Sequence, residues 1–169
     1  MLASLIYIDY QINPMIKGII FDFNWTLYDP KAKAPTTGAI DLLKTLQDYR
    51  LCLVSCCISG ISVEKRKEQI ATLGLLEYFD NIVVVEHEKT EKDFRHCAEE
   101  MKLPPEQILV IGDRITSEIQ FGNRLGMTTV RLRHGEHSKA EPENKDQQPD
   151  HEITSLAELS CVLNSQQDN

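Results

Sequence analysis

The chain has no apolar run long enough to span a bilayer, no excess of basic charge and no paired-cysteine motif. Its longest apolar stretches, ILVI at 108–111 and IVVV at 82–85, fall far short of the ~20 residues a spanning helix needs. Stable membrane insertion is therefore not expected. The formal net charge is −8, whereas a general polyanion binder is usually basic, so nucleic acid is not an expected partner. The five cysteines (Cys52, Cys56, Cys57, Cys97 and Cys161) form no C-x-x-C pair and no zinc-finger spacing. They read as small buried hydrophobes. The opening MLASLIYIDYQ has no basic leading segment and carries Asp9 inside its apolar stretch, so it does not read as a signal peptide. Reduced thiols without an export signal point to the cytoplasm. No internal repeat is present.

What is there is an ordinary globular composition, 41% apolar and 26% charged over 169 residues. A chain of this length buries roughly 70% of the surface its unfolded form exposes and needs no disulfide or metal to fold. Short apolar runs alternate with amphipathic stretches. KGIIFDF (17–23), RLCLVS (50–55), NIVVVE (81–86), QILVIGD (107–113) and MTTVRLR (127–133) read as strands. Between them lie helical patterns: 36–50, with Ile40, Leu42, Leu43 and Leu46 on one face, then 61–74, stopped by Gly74, and 90–103, with Phe94, Cys97, Ala98 and Met101 at helical spacing. Apolar strands alternating with helices predict a doubly wound, Rossmann-like parallel sheet of about five strands, covered by helices on both faces. One domain is expected over 1–169: an N-terminal extension (1–14), a core (15–135), a polar surface loop (136–150), and a C-terminal helix and tail (151–169).

In such a sheet ligands sit beyond the carboxyl ends of the strands. Asp22 ends the first strand, followed by Asn24, Trp25 and Thr26; Ser55 ends the second; Lys89 lies past the third; Asp113 ends the fourth, with Glu118 shortly after. Acids, a hydroxyl and an ammonium on one edge suit a phosphoryl group with a divalent cation. Carboxylates bind Mg²⁺, lysine neutralises phosphate, and a hydroxyl holds its oxygens. His96, His134 and His137 read as surface or solvated residues.

These residues carry a resemblance. IIFDFNWTLYD is similar to the D-x-D-x-T-L motif of the haloacid dehalogenase (HAD) superfamily, and LCLVS, EKTEKDF and GDRITSE resemble its second, third and fourth motifs in the same order. The resemblance covers about 17–135 and implies a Mg²⁺-dependent phosphohydrolase. It implies that Asp22 is the nucleophile and forms an aspartyl-phosphate, and that Thr26 and Ser55 bind phosphate oxygens. Lys89, nearer the strand end than its rival Lys92, would pair with phosphate and Asp22. The metal would be held by Asp22, the backbone carbonyl of Asn24, Asp113 and Glu118, the last replacing the usual second acid.

The chain departs from the family pattern at three places. Asn24 stands where the general acid is an aspartate, and an amide exchanges no proton; general acid–base help is worth about 10²–10⁴-fold, so turnover is expected to be attenuated, with a persistent phospho-enzyme, a substrate with a good leaving group or no catalysis as the other readings of this residue. Trp25 stands where glycine is common. Its backbone is expected in an ordinary region, its indole over the site mouth, as a plug against a neighbouring loop or partner chain in preference to a platform for a flat leaving group. The connections after the first and second strands leave no room for a cap domain. Capless members of the family take macromolecular substrates or oligomerise over the site. The expected partner is thus a phosphorylated small molecule or macromolecule, with a homo-oligomer as one way to cover the cleft. Two rival readings stand beside this one. A non-catalytic module binding a phosphorylated ligand or protein would use the same strand ends for recognition. A receiver-like domain would need an aspartate after the third strand, where VVEHEK has none.

Overall fold

A computed structural model describes residues 15–57 and 60–166. The expected extension at 1–14 and the end of the tail, 167–169, lie outside them. The central sheet is wholly parallel. It is built from β1 (Gly18–Asp22), β4 (Arg50–Cys56), β5 (Asn81–Val85), β6 (Ile108–Gly112), β7 (Thr128–Leu132) and β8 (His151–Ile153). The order is β5-β4-β1-β6-β7-β8. From β1 the chain steps outward through β4 to β5, then returns to β6 on the other side of β1. The strand order therefore reverses at β1, and its carboxyl end opens on the crevice where such sheets bind ligands.

Every residue of β1 and β6 is buried, because helices cover both sheet faces. On one face Ile19, Phe21, Leu53, Leu109 and Ile111 pack with α1 (Ala39–Thr45), α2 (Val63–Thr72) and α5 (Leu159–Ser165). On the other, Ile20, Cys52, Val54 and Val110 pack with α3 (Glu91–Met101) and α4 (Gln120–Leu125). The alternation of the strand residues between the two clusters is the period-two geometry of a strand with both faces covered. Gly74, in the left-handed region at φ 70°, follows α2 as its sequence position predicts. A short antiparallel hairpin, β2 (Tyr28–Asp29) with β3 (Ala34–Pro35), follows β1. Among the described residues the connection after β1 adds only this hairpin and α1, and that after β4 only α2 and one 3₁₀ turn at Leu76–Tyr78. Nothing in either forms a cap. No helix of the described residues is long and apolar enough to cross a membrane.

The sheet has six strands rather than about five. The additional one, β8, lies where a terminal helix was expected to begin; the helix itself starts at Leu159, after a 3₁₀ turn at Leu156–Glu158. Three residues carry no readable period. Side chains and backbone partners hold this edge strand instead: Asp150 Oδ2 accepts from Thr129 N at 2.8 Å, and Glu152 pairs with Arg131 at 3.3 Å and Arg133 at 2.6 Å. Four of the cysteines are buried, as expected, but Cys161 on α5 is exposed.

Candidate active site

The topology brings the strand-end residues together. A cavity of about 170 Å³ beyond the carboxyl end of β1 is lined by Asp22, Asn24, Ser55, Lys89 and Asp113, with Trp25, Cys56 and Arg114 around them. Glu136 and His137 reach it from the loop after β7.

Lys89 is fixed by the start of α3. Thr90, immediately after it, donates its N–H and its hydroxyl to Asp93 Oδ2 at 2.7 and 2.9 Å, a cap that anchors the helix at its first turn. The Lys89 ammonium is buried between Asp22 Oδ1 and Glu118 Oε1 and pairs with both. Burial disfavours its charge, but the two carboxylates outweigh that and hold the ammonium protonated well above its ordinary range. The rival Lys92 is exposed.

Glu118 is wholly buried, one layer beneath the cavity. It lies on a single π-helical turn, Ile115–Ile119. Burial pushes its carboxyl up, and Lys89 and the Ser117 hydroxyl at 3.0 Å more than reverse this. Its other oxygen accepts from Arg114 N at 3.2 Å. Glycine at 112 makes this packing possible: a Cβ there would stand 2.3 Å from Glu118 Cγ. Asp113 is pushed up to about 9, first by burial and then by the charges of Asp22 and Glu118. Asp22 is raised in the same way, with Lys89 opposing.

Carboxylate oxygens of Asp22, Asp113 and Glu118 lie within 4.8 Å of one another, with one ammonium among them. That surplus of negative charge suits a hard divalent cation. Two buried oxygens, Ser55 Oγ and Asp113 Oδ2, have no hydrogen-bond partner among the described residues. A buried polar atom left unpaired costs about 1–3 kcal/mol, so a ligand that supplies a partner to either oxygen gains by it. Burial pushes the Cys56 thiol up, Lys89 opposing, which keeps the wall of the cavity neutral.

Three placements differ from expectation. Thr26 does not line the cavity; its buried hydroxyl donates to Asp22 Oδ2 at 3.1 Å, so it orients the carboxylate from behind. Trp25 is not in an ordinary backbone region but at φ 61°, a conformation that costs a non-glycine residue about 1–2 kcal/mol. A tight loop imposes it: Trp25 N donates to Tyr28 O at 2.7 Å, and Leu27 N and Tyr28 N to Phe23 O at 3.0 and 2.9 Å. The indole then lies over Gly135, edge-on to His134 and with Lys31 Nζ 5.5 Å from its ring centre. His137 and His134 are half-buried rather than solvated, because the fully buried Arg131 draws in the loop that carries them, donating to the carbonyls of His137, Ser138 and Ala140. His96 is exposed, as expected.

Gly135 accommodates the plug. It has φ 69°, and a Cβ there would stand 2.3 Å from the indole. Gly135→Ala combines left-handed strain with overpacking and is expected to cost about 2–4 kcal/mol, a Tm lower by roughly 5–15 °C in a domain of this size. Thermal unfolding checks this, and an unchanged Tm contradicts the packing described.

Residues 90–159 match the HAD-hydrolase-like family. A glyceraldehyde 3-phosphate phosphatase of Methanopyrus kandleri is 34% identical over 129 residues, covering 73% of this chain and 55% of the relative. One from Methanocaldococcus jannaschii is 31% identical over 156 residues, covering 80% and 66%. The chain belongs to the HAD-like hydrolases. Its fold agrees: a putative HAD-hydrolase, YfnB from Bacillus subtilis, bound to magnesium, superposes with a TM-score of 0.73 at 19% identity, covering 89% of this chain and 99% of the other. This HAD-like chain spans 55% and 66% of the lengths of the two phosphatases.

One residue of the HAD-like site carried no signal in the sequence. Arg66, on α2, looks like part of a polar, solvent-facing helix, yet only 3% of it is exposed. Its guanidinium lies 4.9 Å from the Phe23 ring centre and donates to Asn24 Oδ1 at 2.9 Å.

Proposed function

We propose that the chain hydrolyses a phosphate monoester through an aspartyl-phosphate on Asp22, with Mg²⁺ as cofactor and with turnover slowed by Asn24. One observation carries this reading: a buried carboxylate paired with a buried lysine shares a cavity with two unpartnered buried oxygens, Ser55 Oγ and Asp113 Oδ2. A phosphoryl group with a divalent cation satisfies all of them together. The phosphatase relatives, whose named substrate carries a phosphate ester, support the same bond type here.

Asp22 attacks phosphorus, its carboxylate oriented by the Thr26 hydroxyl. Lys89 neutralises the nucleophile and the incoming phosphate. Ser55 donates to a phosphoryl oxygen. Asp22, Asp113, the Asn24 carbonyl and the underlying Glu118 would hold Mg²⁺; when bound, the cation supplies neutralisation of the phosphoryl charge. The direct test is phosphate release from p-nitrophenyl phosphate with Mg²⁺ and with EDTA. Turnover that needs Mg²⁺ supports the reading. Phosphate binding by calorimetry with no turnover across a broad panel of monoesters replaces it with a binding module.

The acid cluster sets a pH dependence. Asp113 keeps its proton in the folded chain up to about 9 but loses it near 3.8 when unfolded. Between those values the native state binds the extra proton, so stability falls as pH rises. Metal-free protein is therefore expected to have a lower Tm at pH 8.5 than at pH 6, and Mg²⁺ to raise Tm more at pH 8.5. A Mg²⁺ increment independent of pH contradicts this.

A further inference from the structure

An arginine has five donors and no acceptor. The side chain of Asn24 has one carbonyl oxygen and one NH₂ group, which lie on opposite sides of the same carbon. Arg66 holds that oxygen at 2.9 Å, so the NH₂ is turned away from Arg66. Asn24 lines the site cavity, and its NH₂ has no hydrogen-bond partner among the described residues. Arg66 is itself locked: it is buried on α2, and its guanidinium lies against the Phe23 ring at 4.9 Å. Phe23 in turn stacks on Tyr28 with ring centres 5.1 Å apart and 6° between planes. The orientation of the amide is thus set by packing against Arg66, which does not line the cavity.

We propose that Arg66 is a positioning residue that aims the Asn24 NH₂ at the leaving-group oxygen, and that the site is thereby matched to phosphates whose leaving group departs as an anion, such as aryl and acyl phosphates. The inference rests on the phosphohydrolase reading above. As an Asp22 oxygen bonds to phosphorus, the bond from phosphorus to the leaving oxygen breaks and its electron pair stays on that oxygen. The oxygen departs unprotonated, accepting a hydrogen bond from Asn24. Water then adds to the phosphoryl group, the bond to Asp22 breaks, and both protons of that water leave on dihydrogen phosphate while Asp22 returns as carboxylate. No proton is needed from residue 24 in either step. An alkyl leaving group, which departs poorly as an anion, is disfavoured.

The test is kcat and KM of the 169-residue chain with Mg²⁺ over a series of substituted phenyl phosphates of rising leaving-group pKa. Wild type, Asn24→Ala, Arg66→Met and the double variant are compared. A hydrogen bond to a developing anion is worth roughly tenfold to hundredfold in rate. Asn24→Ala and Arg66→Met are each expected to lose that factor in kcat for the poorest leaving groups and much less for the best, with KM nearly unchanged. The double variant is expected to match either single one, because Arg66 acts through Asn24. A loss uniform across the series, or losses that multiply in the double variant, overturns the role of Arg66. If Arg66→Met does not fold, Asn24→Ala alone decides: a slope against leaving-group pKa equal to wild type overturns the proposal. No turnover of any ester by wild type removes the phosphohydrolase reading itself, and with it this inference.

Discussion

Asp22→Asn is expected to lower turnover of any accepted monoester by about 10³-fold or more, since removing a covalent nucleophile leaves only binding and charge stabilisation. The amide keeps nearly the same shape: its oxygen can face Lys89, and its NH₂ can donate to the Thr26 hydroxyl, which in the present protein donates to Oδ2 at 3.1 Å. Its charge is gone, however, and with it one of the two carboxylates that hold Lys89. The variant should fold, because Glu118 still pairs with the ammonium and the exchange removes one of three mutually repelling acids. Loss of activity with an intact melting transition therefore reports on chemistry. Acid quenching under turnover should trap phosphate on wild-type protein and none on the variant. Turnover indifferent to Asp22 would remove the nucleophile assignment.

Much of this architecture was legible in the sequence. The β1, β4 and β6 segments are apolar along their length because both sheet faces are covered, and a polar residue that ends each run stands out for that reason. Asp22, Ser55 and Asp113 were visible on those grounds, and the cavity shows them together. What escaped notice depends on contacts between distant segments. Arg66 is a charge within a charged helix; its burial comes from Phe23 and Asn24, 43 and 42 positions earlier in the chain. The strand β8 is three residues long and held by Glu152 and Asp150 rather than by any pattern of its own. The loop bearing Glu136 and His137 reads as solvated because its polar composition conceals the carbonyls that Arg131 gathers beneath it. The backbone of Trp25 failed for a different reason. Tryptophan carries no preference for φ 61°, and only the ring of hydrogen bonds to Phe23 and Tyr28 imposes it.

Asn24→Asp is expected to accelerate hydrolysis of an alkyl monoester by about tenfold to hundredfold, at or below the lower limit of the roughly 10²–10⁴-fold that general acid–base help supplies. Asparagine at this position offers a hydrogen bond but no proton, so an alkoxide must leave without one. A carboxylic acid in its place can protonate that oxygen and then take a proton from the attacking water. Arg66 holds the gain at or below that lower limit. Its guanidinium, 2.9 Å from the present amide oxygen, favours the ionised form of an acid there, and only the protonated fraction can act first. Aryl esters should gain far less, because their leaving groups need little protonation. The ratio of alkyl to aryl turnover is therefore the diagnostic quantity, and it should rise in Asn24→Asp while the requirement for Asp22 persists. Equal acceleration of both classes would mean that residue 24 acts on binding or on metal affinity, and no acceleration of either would mean that proton transfer does not limit the reaction. The position thus separates two ways of leaving the same site: as an anion steadied by an amide, or as a neutral alcohol protonated by an acid.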